Sequence, residues 1–161
     1  TPKFSSRGLQ LIAGNWQVSP IMKIKSGTYF TVTGGVDYAL NGSPNFNSQR
    51  PNQVLASPYA SEKTIDHWLN PAAFAAPAPG TNGNLGSNNI LGPGMFQLDL
   101  ALSRTFALRE GKTLQLRAEA FNLPNHMNPN NPILALNNQN FGKILSANDP
   151  RIMQFALKYV F

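Results

Sequence analysis

The 161 residues are enough for one domain with a core of its own, but only 12% of them are charged, about half the usual level, against 13 glycines, 13 prolines and frequent asparagine. Sparse charge with many turn formers argues against a helical bundle and suits a β-rich chain with long polar loops. The net charge of +6 is spread over single lysines and arginines, with no basic run interleaved with aromatics, so nucleic acid is not an expected partner.

Cysteine is absent, which removes disulfides and thiolate metal sites. No run of 18 apolar residues exists, so a transmembrane helix is excluded and only a barrel or a membrane-free fold remains. The chain opens Thr1-Pro2-Lys3, with neither a basic n-region nor an apolar h-region, and so reads as a processed product or a fragment without a signal peptide.

Residues 9–25 form the first expected β region. Trp16, Val18, Met22 and Ile24 share one parity, and Leu9, Leu11, Ala13 and Ile21 the other. The mixed parity and Pro20 predict a bulge or an edge position, because proline cannot donate to a ladder. Ser26 and Gly27 then turn the chain into 29–33, a short aromatic and β-branched strand expected to pair with the first as a hairpin.

From 34 to about 90 the chain is turn chemistry. Asn41-Gly42 and Asn82-Gly83 suit tight turns, and Pro44, Pro51, Pro58, Pro71, Pro77, Pro79 and Pro93 bar regular helix. One helical turn is expected over 61–69, with Ser61 as cap and Glu62 in the first turn. A connection this long without regular structure is more often functional or poorly ordered.

Strict alternation returns at 96–103, with Phe96, Leu98, Leu100 and Leu102 against Gln97, Asp99, Ala101 and Ser103. A polar turn at 109–112 leads into a strand over 113–123, where Gln115, Arg117 and Glu119 share a face. Asp99 is expected across from Arg117 and Glu119, giving cross-strand ion pairing. That face reads either as a polar lumen wall or as a solvated sheet face. A second Asn- and Pro-rich loop, 122–140, precedes a short expected strand at 141–145.

In the last nine residues Met153, Phe155, Leu157, Tyr159 and Phe161 alternate with Gln154, Ala156, Lys158 and Val160. A tilted strand of about nine to eleven residues crosses a bilayer. The same pattern also fits an amphipathic strand of a soluble sandwich. Five or six strands are expected in all, against about eight for the smallest single-chain transmembrane barrel, so these residues cannot close a barrel alone.

Candidate sites for chemistry are thin. His67 and His126 lack metal-ligand spacing, Asp66-His67 has no nucleophile elbow, and Asp37, Asn41 and Gly42 fall short of a calcium loop. Gly92-Pro93-Gly94 precedes a strand rather than the helix a phosphate cradle needs, and Asn41-Gly42-Ser43 is only a formal glycosylation sequon. No catalytic, cofactor-binding or metal-binding residue is expected, and the chain does not read as an enzyme. The residues singled out are those of the terminal strand: Met153, Phe155, Leu157, Tyr159 and Phe161.

Four stretches carry a resemblance: 89–106 (NILGPGMFQLDLALSRTF), 114–126 (LQLRAEAFNLPNH), 140–144 (NFGKI) and 149–158 (DPRIMQFALK). In this order they resemble the C-terminal end of TonB-dependent outer-membrane receptors of the Oar-like, carboxypeptidase-regulatory-domain type, familiar from Acidobacteria. Residues 14–19 and 27–33 are similar to an earlier strand pair of those receptors, and 68–74 to their following loop.

The resemblance implies an all-β fold of antiparallel strands with long Asn-, Pro- and Gly-rich loops, part of an outer-membrane-barrel-like sheet. It is expected as a single β-rich unit with an N-terminal hairpin (1–33), a long loop region (34–95) that would be extracellular, and C-terminal strands (96–161). The implied function is the barrel segment of a receptor that imports a scarce nutrient, with Phe161 closing the strand that the barrel-assembly machinery reads. Its partners would be the remaining barrel strands and the outer membrane. The plug, the TonB-contacting box and most wall strands of such receptors have no counterpart here.

The alternative is a processed, receptor-like subunit of an extracellular filament. It would pair strand to strand with copies of itself, donating 153–161 or 9–25. The two readings place the chain in the bacterial outer membrane or on the extracellular surface.

Overall fold

The computed structural model describes residues 14–108 and 111–161. Among these the chain is all-β, with eight strands: β1 (Trp16–Lys25), β2 (Tyr29–Phe30), β3 (Asn52–Gln53), β4 (Phe74–Ala75), β5 (Ile90–Leu91), β6 (Met95–Ala107), β7 (Thr113–Phe121) and β8 (Ile152–Val160). Two short 3-10 turns, Phe46–Ser48 and Pro71–Ala73, lie between the strands. The described residues pack as two compact units, one of 14–24, 96–108, 111–127 and 149–161, the other of 25–95 and 128–148.

The first unit holds the four long strands in one sheet, ordered β1-β6-β7-β8. β7 pairs antiparallel with both neighbours, with Leu102 opposite Ala118 and Ala118 opposite Phe155. Trp16 lies by Arg104 and Lys23 by Asp99, so β1 runs against β6. β1 is unbroken through Pro20 and lies at the sheet's edge, where a residue without an N–H is tolerated. Residues 9–13 of that expected strand lie outside the described residues.

The expected hairpin between the first two strands does not form. β1 pairs with β6, while Tyr29 and Phe30 pair with Leu91 and Ile90. The cause lies at Gly27, where a Cβ would sit 1.9 Å from the carbonyl oxygen of Gly92; the chain there runs directly against 92, and the Gly92 N–H donates to Thr28 O at 2.9 Å.

The second unit is made of the two Asn- and Pro-rich connections, and it is ordered around a core. Val32, Leu69, Ala73, Phe74, Leu85, Ile90 and Phe141 are buried together, with Phe74 and Phe141 edge to face at 5.4 Å. The two-stranded ladders β2–β5 and β3–β4 frame this core.

Residues 61–69 are not helical. The N–H groups of Trp68 and Leu69 both go to the carbonyl of Gly142, at 2.9 and 3.2 Å, and Tyr59 bridges Leu69 in antiparallel fashion. These tertiary bonds take the donors a helix would use. Nor do 141–145 form a strand: Phe141 is a core residue, and the Ile144 N–H donates to Ile65 O at 2.7 Å.

Within the same unit Asp37 organises a polar loop. Its carboxylate accepts from Gln49 Nε2 at 2.7 Å and from the Gly42 N–H at 3.0 Å, while Gln49 Oε1 accepts the Ala39 N–H at 2.9 Å. The Gln49 amide, opposed by some desolvation and helped by the N–H groups of Gly42, Asn41 and Leu40, holds the Asp37 carboxyl below its ordinary value. A depressed folded-state value makes this contribution present above the unfolded value of about 3.9 and lost as pH falls through the folded one. The Gly42 amide and Gln49 side-chain NMR signals should therefore hold steady from neutral pH to about pH 5 and shift on further acidification, and Asp37→Asn should remove that transition.

Candidate membrane wall and lumen face

The four-stranded sheet has two chemically distinct faces, set residue by residue by the period of two. The register lines up Leu100, Leu102 and Phe106 of β6 with Ala120, Ala118 and Leu114 of β7, and these with Met153, Phe155 and Tyr159 of β8. Trp16, by its contact with Arg104, brings the even positions of β1 to the same side: Val18, Met22 and Ile24. That face is almost wholly apolar. It is also bare, with Phe155 75% and Leu157 66% exposed.

The opposite face carries Ser103 opposite Arg117, Thr105 opposite Gln115, and Glu119 opposite Gln154. Lys23 of β1 joins it through an ion pair to Asp99 at 3.6 Å. Arg117 pairs with Glu119 two residues along its own strand. The expected pairing of Asp99 with Arg117 or Glu119 is thus replaced by one with Lys23, because the register sets Arg117 across from Ser103 and Glu119 across from Ala101. Asp99 also accepts from Gln97 Nε2 at 2.8 Å and from the Asn122 N–H at 2.9 Å.

Apolar residues on one face of the sheet and polar and charged ones, two ion pairs among them, on the other are what a wall between lipid and a polar lumen requires. The span fits as well. Nine residues of β8 at roughly 3.3 Å each give about 30 Å, and a tilt of about 40° leaves about 23 Å, close to the roughly 25 Å apolar band of outer-membrane barrels.

The ends of the strands differ in the same sense. β6 and β7 are joined by a short turn, closed by the Leu108 N–H on Lys112 O at 2.7 Å, with Gly111 at φ 75°. At that end stand Trp16, Phe106, Tyr159 and Phe161, with Tyr159 and Phe161 stacked 6.1 Å apart. Arg104 is the one cation on the apolar face of β6, and it is buried, its guanidinium 4.4 Å from the Phe106 ring centre and 5.2 Å from that of Trp16. An aromatic belt with a sheltered arginine belongs at a bilayer interface, where rings and a long cationic side chain reach polar surroundings. Both long connections, 26–94 and 122–151, leave and re-enter at the other end of the strands. Short turns at one end and long loops at the other are the arrangement of outer-membrane barrels, with the long loops extracellular.

Of the residues singled out in the sequence, Met153, Phe155, Leu157 and Tyr159 line the apolar face of β8, and Phe161 lies just past the strand, 95% exposed. His67 and His126 belong to different units; each is exposed, and His126 lies edge to face with Phe96 at 5.7 Å.

Asn122 escaped sequence reasoning. It is 3% exposed at the exit of β7, with φ 51°, and its side chain accepts the His126 N–H and donates to the carbonyls of His126 and Asp149. An asparagine immediately after an alternating strand, where the left-handed region is open to it, is the signal that could have found it.

No curated protein and no solved structure matches the chain. The family profile of the outer membrane beta barrel domain matches it over residues 2–154. With four wall strands described, half the smallest barrel, this sheet is part of a barrel rather than a whole one. The two-faced sheet, its belted end and that match together mean that the chain belongs to the outer membrane beta barrel domain family and resides in the bacterial outer membrane.

Proposed function

We propose that these residues are the C-terminal barrel segment of a TonB-dependent outer-membrane receptor, supplying wall strands and extracellular loops to a large transporter. The observation that carries the reading is the pairing of a two-faced wall with an ordered loop unit that has its own core. The second unit takes up 92 of the 161 positions, far more than a plain pore wall needs between its strands, whereas a receptor uses built extracellular loops to meet its ligand. The motif order in 89–158 supports the same family.

A second reading rests on β8. All nine of its residues are exposed, and its outer edge carries no partner strand among the described residues. A long apolar edge pairs either with the next strand of a barrel or with another copy of the chain, and the latter would build a filament.

Cross-linking in native outer membranes separates the two. A receptor predicts a heat-modifiable species far larger than 17.5 kDa that cross-links to TonB. Detergent-free filaments of a 17.5 kDa chain would sink that reading in favour of the second. Removal of residues 159–161 should abolish barrel insertion, scored by heat-modifiable mobility; unchanged insertion would deny the terminal strand its role.

A further inference from the structure

The loop unit contains a cleft of about 470 Å³, within the size range of small-molecule sites. The side chains that line it are polar, among them those of Thr33, Ser48, Gln49, Arg50, Asn82 and Ser87, and no carboxylate is among them. Its floor is tightly built, since a Cβ on Gly83 would fall 2.2 Å from Arg50 O and 2.3 Å from Pro51 O, and Pro51 is fully buried. The Leu85 N–H ties the same segment to Pro51 O at 3.2 Å.

Three groups in this cleft have capacity to spare. Arg50 donates from Nη1 to Ser87 Oγ, which fixes the guanidinium while using one of its five N–H donors, and no salt bridge reaches it among the described residues. The Thr33 hydroxyl and the Asn82 amide make no hydrogen bond among the described residues. A fixed, unneutralised guanidinium favours a planar carboxylate that it can meet with two parallel bonds. One positive charge matches one carboxylate better than a doubly charged phosphate. The neighbouring hydroxyl and amide groups suit ligand hydroxyls, and no carboxylate lines the cleft, that of Asp37 being held by the lining Gln49.

We propose that this cleft binds a carboxylated sugar, a hexuronate either free or at the end of an acidic oligosaccharide, with Arg50 on the carboxylate and Thr33 and Asn82 on the hydroxyls. The site stands on the loop unit's geometry and does not depend on transport or on coupling to TonB.

Isothermal titration of the intact protein in detergent tests it, with galacturonate, an oligogalacturonate, galactose and inorganic phosphate as probes. Binding of galacturonate or its oligomer with galactose at least tenfold weaker is expected, and the ratio between the two acids tells free sugar from polymer end. Arg50→Gln should lower that affinity at least tenfold, Arg50→Lys less, and Thr33→Val and Asn82→Ala severalfold each. Near-ultraviolet circular dichroism should match the parent protein in each variant, which keeps a failed fold from passing as a lost site. Equal binding of galactose, preference for phosphate, no binding of either acid, or full affinity in a folded Arg50→Gln protein would each overturn the proposal.

Discussion

Phe155→Arg should lower the stability of the membrane-inserted protein by about 2–4 kcal/mol, shifting the folded-to-unfolded ratio by roughly 30- to 900-fold. Phe155 is 75% exposed, and in a water-soluble sheet so exposed a side chain could be exchanged at a cost of about 0.5 kcal/mol or less. In the wall it stands on the apolar face opposite Ala118, mid-strand, where an arginine would have to enter hydrocarbon. Gln154→Arg, one residue away on the polar face opposite Glu119, should be close to neutral. Urea titration of both variants in lipid vesicles, followed by tryptophan fluorescence, gives the comparison. Equal, small effects would mean that the exposed face meets water and not lipid.

Phe141→Ala should destabilise the loop unit by about 3–5 kcal/mol. The ring is 7% exposed and packs edge to face on Phe74 within a core that also holds Leu69 and Ile90, so its loss removes apolar burial and opens a cavity that the surrounding short strands cannot easily close. Amide hydrogen exchange should read this at Leu69, whose N–H is held by the carbonyl of Gly142, and at the β2–β5 ladder. A substitution at the exposed Leu145, a residue of the same stretch that is 60% exposed, should leave those amides protected. Protection unchanged in Phe141→Ala would mean that 26–94 and 128–148 are held by turns alone and have no working core.

The wall was legible in the sequence because the face of each strand residue is decided by its own parity. Reading Phe96, Leu98, Leu100 and Leu102 against Gln97, Asp99 and Ser103 requires no knowledge of the neighbours, and the same holds for 153–160. Partners are another matter. β1 and β6 are separated by the whole of 26–94, and no local feature says that Tyr29 and Phe30 will meet Leu91 and Ile90 instead of returning to β1.

The loop core was hidden for a related reason. Val32, Leu69, Ile90 and Phe141 are single apolar residues scattered over more than half the chain, with neither a period of two nor one of 3.6 to mark them. Ser61, Glu62 and the residues after them satisfy local rules for a helix start, yet Gly142 captures the N–H groups of Trp68 and Leu69 from far away in sequence. Arg104 and Asn122 likewise gain their meaning only from neighbours, the rings of Trp16 and Phe106 in one case and the segments at 126 and 149 in the other.

The chain contains no cysteine, so single cysteines placed one at a time along β8 can each carry one spin label without background. Accessibility of these labels to oxygen dissolved in lipid and to a water-soluble nickel chelate, measured on the protein in bilayers, tests the two-faced wall directly. Labels at 153, 155, 157 and 159 should be reached by oxygen and shielded from nickel, and labels at 154, 156 and 158 the reverse, with a period of two along the strand. Uniform access to the nickel chelate, or no alternation at all, would contradict a membrane wall built from this sheet.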